Sequence, residues 1–371
     1  MSSDRPLHAP DYVLLTIVGA LVLFGLLMLA SAGTAVGLDR FGDAHYFVKH
    51  QIVFGLVPGL AGLWIASRIP YAFWKRNALL MLGFSALLLV LVFIPGVAAG
   101  IGTAHSWVSV GGWFTFQPSE FVKLTFLLYL AAWLEKRGSE VRDAASGLIP
   151  FLLALGVVMG LLVAQPDVGT MSVVAVQAMA VYFVAGAPLT HIFGMLAAGV
   201  ALLYGLVKAA PYRARRFTIF LNPELDPQGM GYHVNQALLA IGSGGLFGLG
   251  YGQSRQKFQF LPEVVNDSIF AVVGEELGFA GCLLLVGLFV ALLHRIIRTA
   301  KAAPDPFGKY VCVGVGTWFL FQAFVNVGSM LSLMPMTGLP LPFISYGGSS
   351  LAISLAAVGV VLNISRYRKS V

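Results

Sequence analysis

The sequence predicts an all-α integral membrane protein: ten transmembrane helices, with a large extracytoplasmic loop between the seventh and the eighth. Three observations carry that expectation. The chain is 58% hydrophobic and only 11% charged, with a mean hydropathy of +0.85, whereas a soluble domain is about a quarter charged. Ten apolar runs come near the roughly 17 to 25 residues a helix needs to cross a bilayer. Closed strand ladders would instead alternate over about ten residues with turns between, and these runs do not.

In chain order the spans fall at 12–32, 51–66, 78–94, 121–134, 148–164, 168–185, 190–207, 268–293, 310–330 and 349–363. Basic residues orient them, because Lys and Arg near helix ends accumulate on the cytoplasmic side. With the N-terminus inside, Arg5 precedes span one, and Arg68, Lys75 and Arg76 lie between spans two and three. Lys136, Arg137 and Arg142 follow span four; Arg295, Arg298, Lys301 and Lys309 follow span eight; Arg366, Arg368 and Lys369 follow span ten. The short outer loops hold only Arg40 and Lys49. Both termini are therefore expected in the cytoplasm and the long connection after span seven outside.

Ala30-Ser31-Ala32 resembles a signal-peptide cleavage site, but the run before it is long for such a segment and its removal would reverse the parity of the remaining spans. It reads as a retained first helix. Cys282 and Cys312 both lie within spans and match no metal-ligand spacing, so they read as packing residues. The net charge of +7 sits mostly on the cytoplasmic side, where anionic headgroups account for it; nucleic acid need not be invoked. No composition shift marks a separate soluble domain, so residues 1–371 read as one polytopic membrane domain containing the loop at 210–267.

That loop is polar and glycine-rich, and a structureless connection of this length is usually functional. Its glycines lack the strand and helix that a dinucleotide fingerprint requires, and read better as tight turns and close backbone approach. Arg213, Arg215, Arg216, Arg255 and Lys257 suit phosphate, the arginines by bidentate geometry and the lysine as a point charge, with lipid phosphates as the competing contact.

Ionisable residues inside spans are expensive and hence functional candidates. Glu120 and Lys123, three apart, share a helix face near the outer end of span four. They form either an internal pair or, in the favoured reading, a cavity-facing cation oriented by its neighbour. Asp167 opens span six as a cap or as a site residue. Glu275 and Glu276 follow Asp267 by eight and nine residues, about 12 Å along the helix, too far for a glycosidase dyad. Helix pairing is kept for Glu275. Asp267 stands at the seam between the loop and span eight, either as an N-cap or as a base at the outer membrane face.

Five ordered motifs bear on these alternatives: Gln117-Pro118-Ser119-Glu120; Gln165-Pro166-Asp167-Val168-Gly169-Thr170; Asp226-Pro227 with Gly231-Tyr232; Phe260-Leu261-Pro262-Glu263, then Asp267-Ser268-Ile269-Phe270 and Gly274-Glu275-Glu276-Leu277-Gly278; and Pro342-Phe343-Ile344-Ser345-Tyr346-Gly347-Gly348-Ser349-Ser350. Over essentially the whole chain they resemble the shape, elongation, division and sporulation family, which includes FtsW and RodA. The stretch from Gly248 to Lys257 is more similar to the FtsW-like division branch than to the RodA-like elongation branch.

The resemblance implies a peptidoglycan polymerase that joins lipid II units by inverting β-1,4 transfer on the outer face of the bacterial cytoplasmic membrane. It implies a class B penicillin-binding protein as transpeptidase partner. The family's catalytic aspartate corresponds to Asp267, as general base on the acceptor hydroxyl. Lys123, Arg213 and Arg216 are the candidates to meet the leaving pyrophosphate. Glu120, Asp167, Gln236, Arg255, Lys257, Glu276, Ser345 and Ser349 complete the substrate-binding set. No cofactor is demanded; a divalent cation, Mg or Mn, could share the charge, although no ligand cluster calls for one. Two stretches depart from the family: His105-Ser106-Trp107 stands where Arg-Trp is common, and Asn266 and Ser268 flank Asp267 instead of Thr and Phe. Two other classes compete. A lipid II flippase would show discontinuous helices and an inverted repeat, neither of which is evident in the sequence, and the ordered motifs argue against an O-antigen-ligase-like transferase.

Overall fold

The structure, a computed structural model, describes residues 8–94, 106–110, 114–209 and 211–367. In chain order its elements are α1 (Tyr12–Ala32), α2 (Thr34–Phe41), α3 (Tyr46–Arg68), α4 (Tyr71–Leu91), a hairpin of β1 (Val108–Val110) and β2 (Phe114–Phe116), α5 (Pro118–Arg137), α6 (Ala144–Ala164), α7 (Val168–Val184), α8 (Leu189–Ala209), α9 (Pro211–Leu221), α10 (Met230–Ser243), α11 (Ile269–Ala302), α12 (Pro306–Met330) and α13 (Gly348–Ser365). Aspartates begin several of them by accepting an otherwise orphaned N–H. Asp11 accepts from Leu14 at 3.0 Å, Asp143 from Ser146 at 2.8 Å, Asp167 from Thr170 at 2.9 Å and Asp305 from Gly308 at 2.8 Å.

Each of the ten apolar runs lies on a helix, and seven described helices are long and apolar enough to cross a membrane. α7 is shorter, and α5 carries Glu120, Lys123, Glu135, Lys136 and Arg137. Three features differ from the sequence expectation. The hairpin pairs Val108 with Phe116 and Val110 with Phe114, as its β-branched and aromatic residues favour. The connection at 210–267 is not structureless, because α9 and α10 occupy much of it. On α10 the buried Gly231, Val234, Ala237 and Ala240 recur every three residues and form a stripe against α11.

The third difference is a break. α11 is helical on both sides of Gly278, whose φ of 67° and ψ of −164° leave the helical region. The whole helix would measure about 51 Å, too long for a bilayer core of about 30 Å, whereas 279–302 alone is about 36 Å. Backbone groups freed by a break must find partners in a membrane, and the glycine-rich stretch supplies them. Leu249 and Gly250 donate to the carbonyls of Glu275 and Glu276 at 2.9 and 3.0 Å, while Phe279 and Ala280 donate to Gly245 and Leu246 at 2.8 and 3.0 Å. A Cβ on Gly248 would stand 2.1 Å from the Glu276 carbonyl oxygen, so the close approach depends on glycine. The discontinuous helix not evident in the sequence is thus present.

α12 is the centre of the bundle. It packs on α5, α7 and α11, and 67% of its most apolar stretch is buried, against 17% for the peripheral α4. The loop that carries Asp267 and the segment between α12 and α13 meet at one end of this central helix.

Candidate functional site

Asp267 lies in a run of turns that ends where α11 begins. Ser268, not Asp267, is the N-cap residue of that helix, and its side chain makes no capping bond. The Ser268 hydroxyl donates to the Pro262 carbonyl at 2.8 Å and lies 2.6 Å from His233 Nε2 on α10. A hydroxyl has one proton to give, so Nε2 of His233 carries the other hydrogen and donates it to Ser268. Burial lowers the His233 pKa, with Glu263 acting weakly the other way, so the ring is neutral near pH 7.

Three successive carbonyls fix the backbone at Asp267. Val265 O accepts from the Tyr346 N–H at 2.9 Å, Asn266 O from Ser345 Oγ at 2.6 Å, and Asp267 O from Asn326 Nδ2 at 2.9 Å. Asn326, on α12, also donates to Leu339 O at 2.8 Å. The wall facing the Asp267 carboxylate includes Gly338, where a Cβ would come 3.9 Å from Oδ2 and the φ of 71° favours glycine.

The buried Lys123 is paired with its neighbour Glu120. Its ammonium bonds Glu120 Oε1 at 2.8 Å and Gln322 Oε1 at 3.1 Å and lies 4.7 Å from the Trp318 ring centre. Gln322 in turn donates to Pro340 O at 2.7 Å. The geometry is that of an internal ion pair tied to the segment before α13.

Lys257 and Glu276 are likewise paired with each other. The lysine's three N–H groups reach Gly252 O at 2.6 Å, Ser31 Oγ at 2.9 Å and Glu276 Oε1 at 3.0 Å, which leaves none for a substrate phosphate. Glu275 accepts from Ser254 Oγ and from the Arg255 and Gln256 amides, so both glutamates bind the 252–257 turn to α11. The Arg255 side chain itself is exposed.

Ser345 is committed at both ends, donating to Asn266 O and accepting from the Leu341 N–H at 2.8 Å. Its hydroxyl thus joins the Asp267 loop to the segment before α13. Ser349 Oγ accepts from the Gln117 N–H at 3.2 Å. Asp167 caps α7 with one oxygen and with the other accepts from Gln117 and Ser119 at 3.2 and 3.0 Å. Gln236 is half-buried on α10, three residues after His233. Arg213 and Arg216 belong to α9, but their side chains lie outside the described residues. Among the described residues no group of three or more His, Cys, Asp or Glu is placed to hold a metal ion.

Sequence reasoning missed Asn326, Gln322, Gly338 and His233 as parts of the site. The available signal was two buried amides four residues apart in an otherwise apolar span.

Beside this loop an apolar groove of about 400 Å³ opens between α10, α11 and α12. Phe270, Gly274 and Gly278 line one wall, Ile241 and Gly245 a second, and Val327 a third. It starts one helical turn beyond Asp267 and offers carbon surface and glycine backbone, suited to a flexible apolar chain. The site therefore combines a half-buried carboxylate on a fixed backbone with a neighbouring apolar channel.

Comparison with known proteins accords with this plan. The family model for the FtsW/RodA/SpoVE cell cycle proteins matches residues 12–370. A protein of Trichlorobacter lovleyi named "Probable peptidoglycan glycosyltransferase FtsW" is 42% identical over 96% of this chain and 93% of its own length. Stage V sporulation protein E of Bacillus subtilis is 42% identical over 97% of this chain and 98% of its own. Among solved structures, one chain of a peptidoglycan synthase complex that coordinates polymerisation and crosslinking superposes with a TM-score of 0.80 at 33% identity, covering 96% of this chain and 98% of that one. Rod shape determining protein RodA of Thermus thermophilus gives 0.72 at 32% identity, covering 98% of each.

Proposed function

Because the chain belongs to the FtsW/RodA/SpoVE family of cell cycle proteins, we propose that it is a peptidoglycan glycosyltransferase that polymerises lipid II into glycan strands for septal wall synthesis. The observation that carries this reading is the Asp267 carboxylate on a backbone held by Asn326 and Ser345, three residues before Phe270, which lines an apolar groove. A lipid-linked sugar donor needs both features: an apolar channel for the tail, and at its polar end a base.

In the proposed step Asp267 takes the proton of the acceptor C4 hydroxyl as that oxygen bonds to the donor's anomeric carbon. The bond from the anomeric carbon to the pyrophosphate oxygen breaks with inversion, giving a β-1,4 linkage, and undecaprenyl pyrophosphate leaves with the electron pair. A base within hydrogen-bond reach typically contributes 10²–10⁴-fold. Arg213 and Arg216 on α9 are the cations proposed to meet the departing charge; Lys123 and Lys257 are committed internally.

Ten crossings of the bacterial cytoplasmic membrane, both termini inside and the 210–267 segment outside, follow from the distribution of Lys and Arg. A class B penicillin-binding protein is the proposed partner, supported by the likeness to a chain of a complex that also crosslinks. One observation favours a second reading, lipid II flipping: the break at Gly278. The protein's own loop fills that break with four backbone hydrogen bonds, so it presents no open half-helix ends to a substrate.

The deciding experiment is polymerisation of purified lipid II by wild type and Asp267→Asn, each with and without a cognate class B partner. Glycan chains from wild type that vanish in the folded, partner-bound variant support the transferase and the base. Equal polymer from both removes Asp267 as base, and none from either, with the partner bound, favours flipping.

A further inference from the structure

Resting on the reading of Asp267 as the base, we propose that Asn326 and Ser345 are positioning residues that set where the Asp267 carboxylate stands. The argument starts from the turns. Residues 257–268 have no helix or strand to fix them, so the location of Asp267 depends on hydrogen bonds from within the turns and from packed elements, among them those to its own carbonyl and its neighbours'. Val265, Asn266 and Asp267 each have one such donor, and all three donors come from α12 or from the segment before α13.

Asn326 has a second function in the same amide. Its Nδ2 carries two hydrogens and both are used, one on Asp267 O and one on Leu339 O at 2.8 Å. One buried group thus ties the loop that bears the carboxylate to the segment that forms its wall at Gly338. The amide orientation follows from its partners, since two carbonyls require the NH₂ end. Gln322, one turn earlier on the same face of α12, holds the next carbonyl, Pro340 O. α12 therefore grips Leu339 and Pro340 in succession, and through Asn326 alone it grips the base.

A donor that touches only backbone adds nothing to substrate binding, but its loss lets the carboxylate drift, and misplacement by about 1 Å costs on the order of 100-fold in rate. The test is lipid II polymerisation by the full chain with its partner. Asn326→Leu removes both donors at similar volume, Ser345→Ala removes one, and Ser345→Thr restores a hydroxyl. We expect kcat to fall about 10- to 100-fold in Asn326→Leu and several-fold in Ser345→Ala, with the KM for lipid II within about threefold of wild type. Ser345→Thr should recover kcat relative to Ser345→Ala.

Wild-type kcat in both folded loss variants would overturn the inference, as would a rise in KM with kcat unchanged. Should Asn326→Leu fail to fold, the Ser345 pair decides alone. Asp267→Asn in the same assay separates the two layers. If it polymerises like wild type, the base assignment fails and takes this inference with it. If it is inactive while Asn326→Leu and Ser345→Ala keep wild-type kcat, only the positioning role fails.

Discussion

Lys257→Met separates a structural cation from a substrate-binding one. The Lys257 side chain is 3% exposed and its Glu276 partner 0%, so the methionine would fill the aliphatic space while leaving a carboxylate buried without its counter-charge. Removing one partner of a buried pair typically costs about 3–5 kcal/mol. Here Glu276 keeps neutral donors, the Gly252 and Ser254 amides and the Ser31 hydroxyl. These place the expected loss near the lower end, about 3 kcal/mol. In Lys257→Met/Glu276→Gln the orphaned charge is gone while acceptor and amide remain, so the double variant should regain about 1–2 kcal/mol over the single one. The assay is unfolding in detergent, followed by lipid II KM on the folded fraction. Wild-type stability in Lys257→Met together with a raised KM would refute the reasoning, because it would mean that the ammonium meets substrate and not Glu276.

The glycine stretch gives a paired comparison: Gly248→Ala puts a Cβ 2.1 Å from a backbone oxygen, whereas Gly252→Ala, also at φ 79°, meets nothing within 4 Å. Gly252→Ala should cost only the left-handed strain of about 1–2 kcal/mol and Gly248→Ala clearly more, and melting temperatures in the reverse order would sink the account. Lys123→Met should destabilise by about 3–5 kcal/mol and Lys123→Met/Glu120→Leu should recover most of that, with lipid II KM unchanged in either; a KM effect without loss of stability would reinstate a cavity-facing lysine. For His233 the folded pKa lies below the ordinary value of 6.5, so the unfolded chain binds the proton first and stability falls as pH drops through 6.5. His233→Gln should flatten that acid limb, seen as a smaller difference in melting temperature between about pH 7.5 and 5.5; an unchanged difference would assign the limb elsewhere.

The membrane helices were legible because a bilayer imposes length and polarity on each one separately, and no knowledge of partners is needed to read 12–32 or 310–330. The 210–267 stretch was harder. The spacing of Gly231, Val234, Ala237 and Ala240 was available, but prolines and glycines on both sides made the whole connection look irregular. Asp267 stood out as an acid at a seam. The pairing of Lys257 was not legible because its partner Glu276 lies nineteen residues on, just before a break that has no local signature beyond one glycine among many. Asn326 was invisible for a related reason: its two partners are backbone carbonyls at 267 and 339, and a carbonyl leaves no mark on the sequence.

The glycine stretch and the groove have one physical origin. A helix broken at membrane depth needs four backbone partners, and only a chain free of side chains at the contact can come close enough to provide them. Gly248 meets that condition against Glu276, and Gly278 against Leu246 and Gly248. Yet Gly245 and Gly278 also line the apolar groove. Sealing the break and hollowing the channel are therefore two results of the same residues. Any side chain introduced at Gly278 would push out the loop that satisfies the backbone, and with it Gly245, which lines the space proposed for the lipid tail. Loss of activity there would combine both effects; Asn326 does not itself line the groove, although its neighbour Val327 does, and its loss acts first on the backbone carbonyls of Asp267 and Leu339.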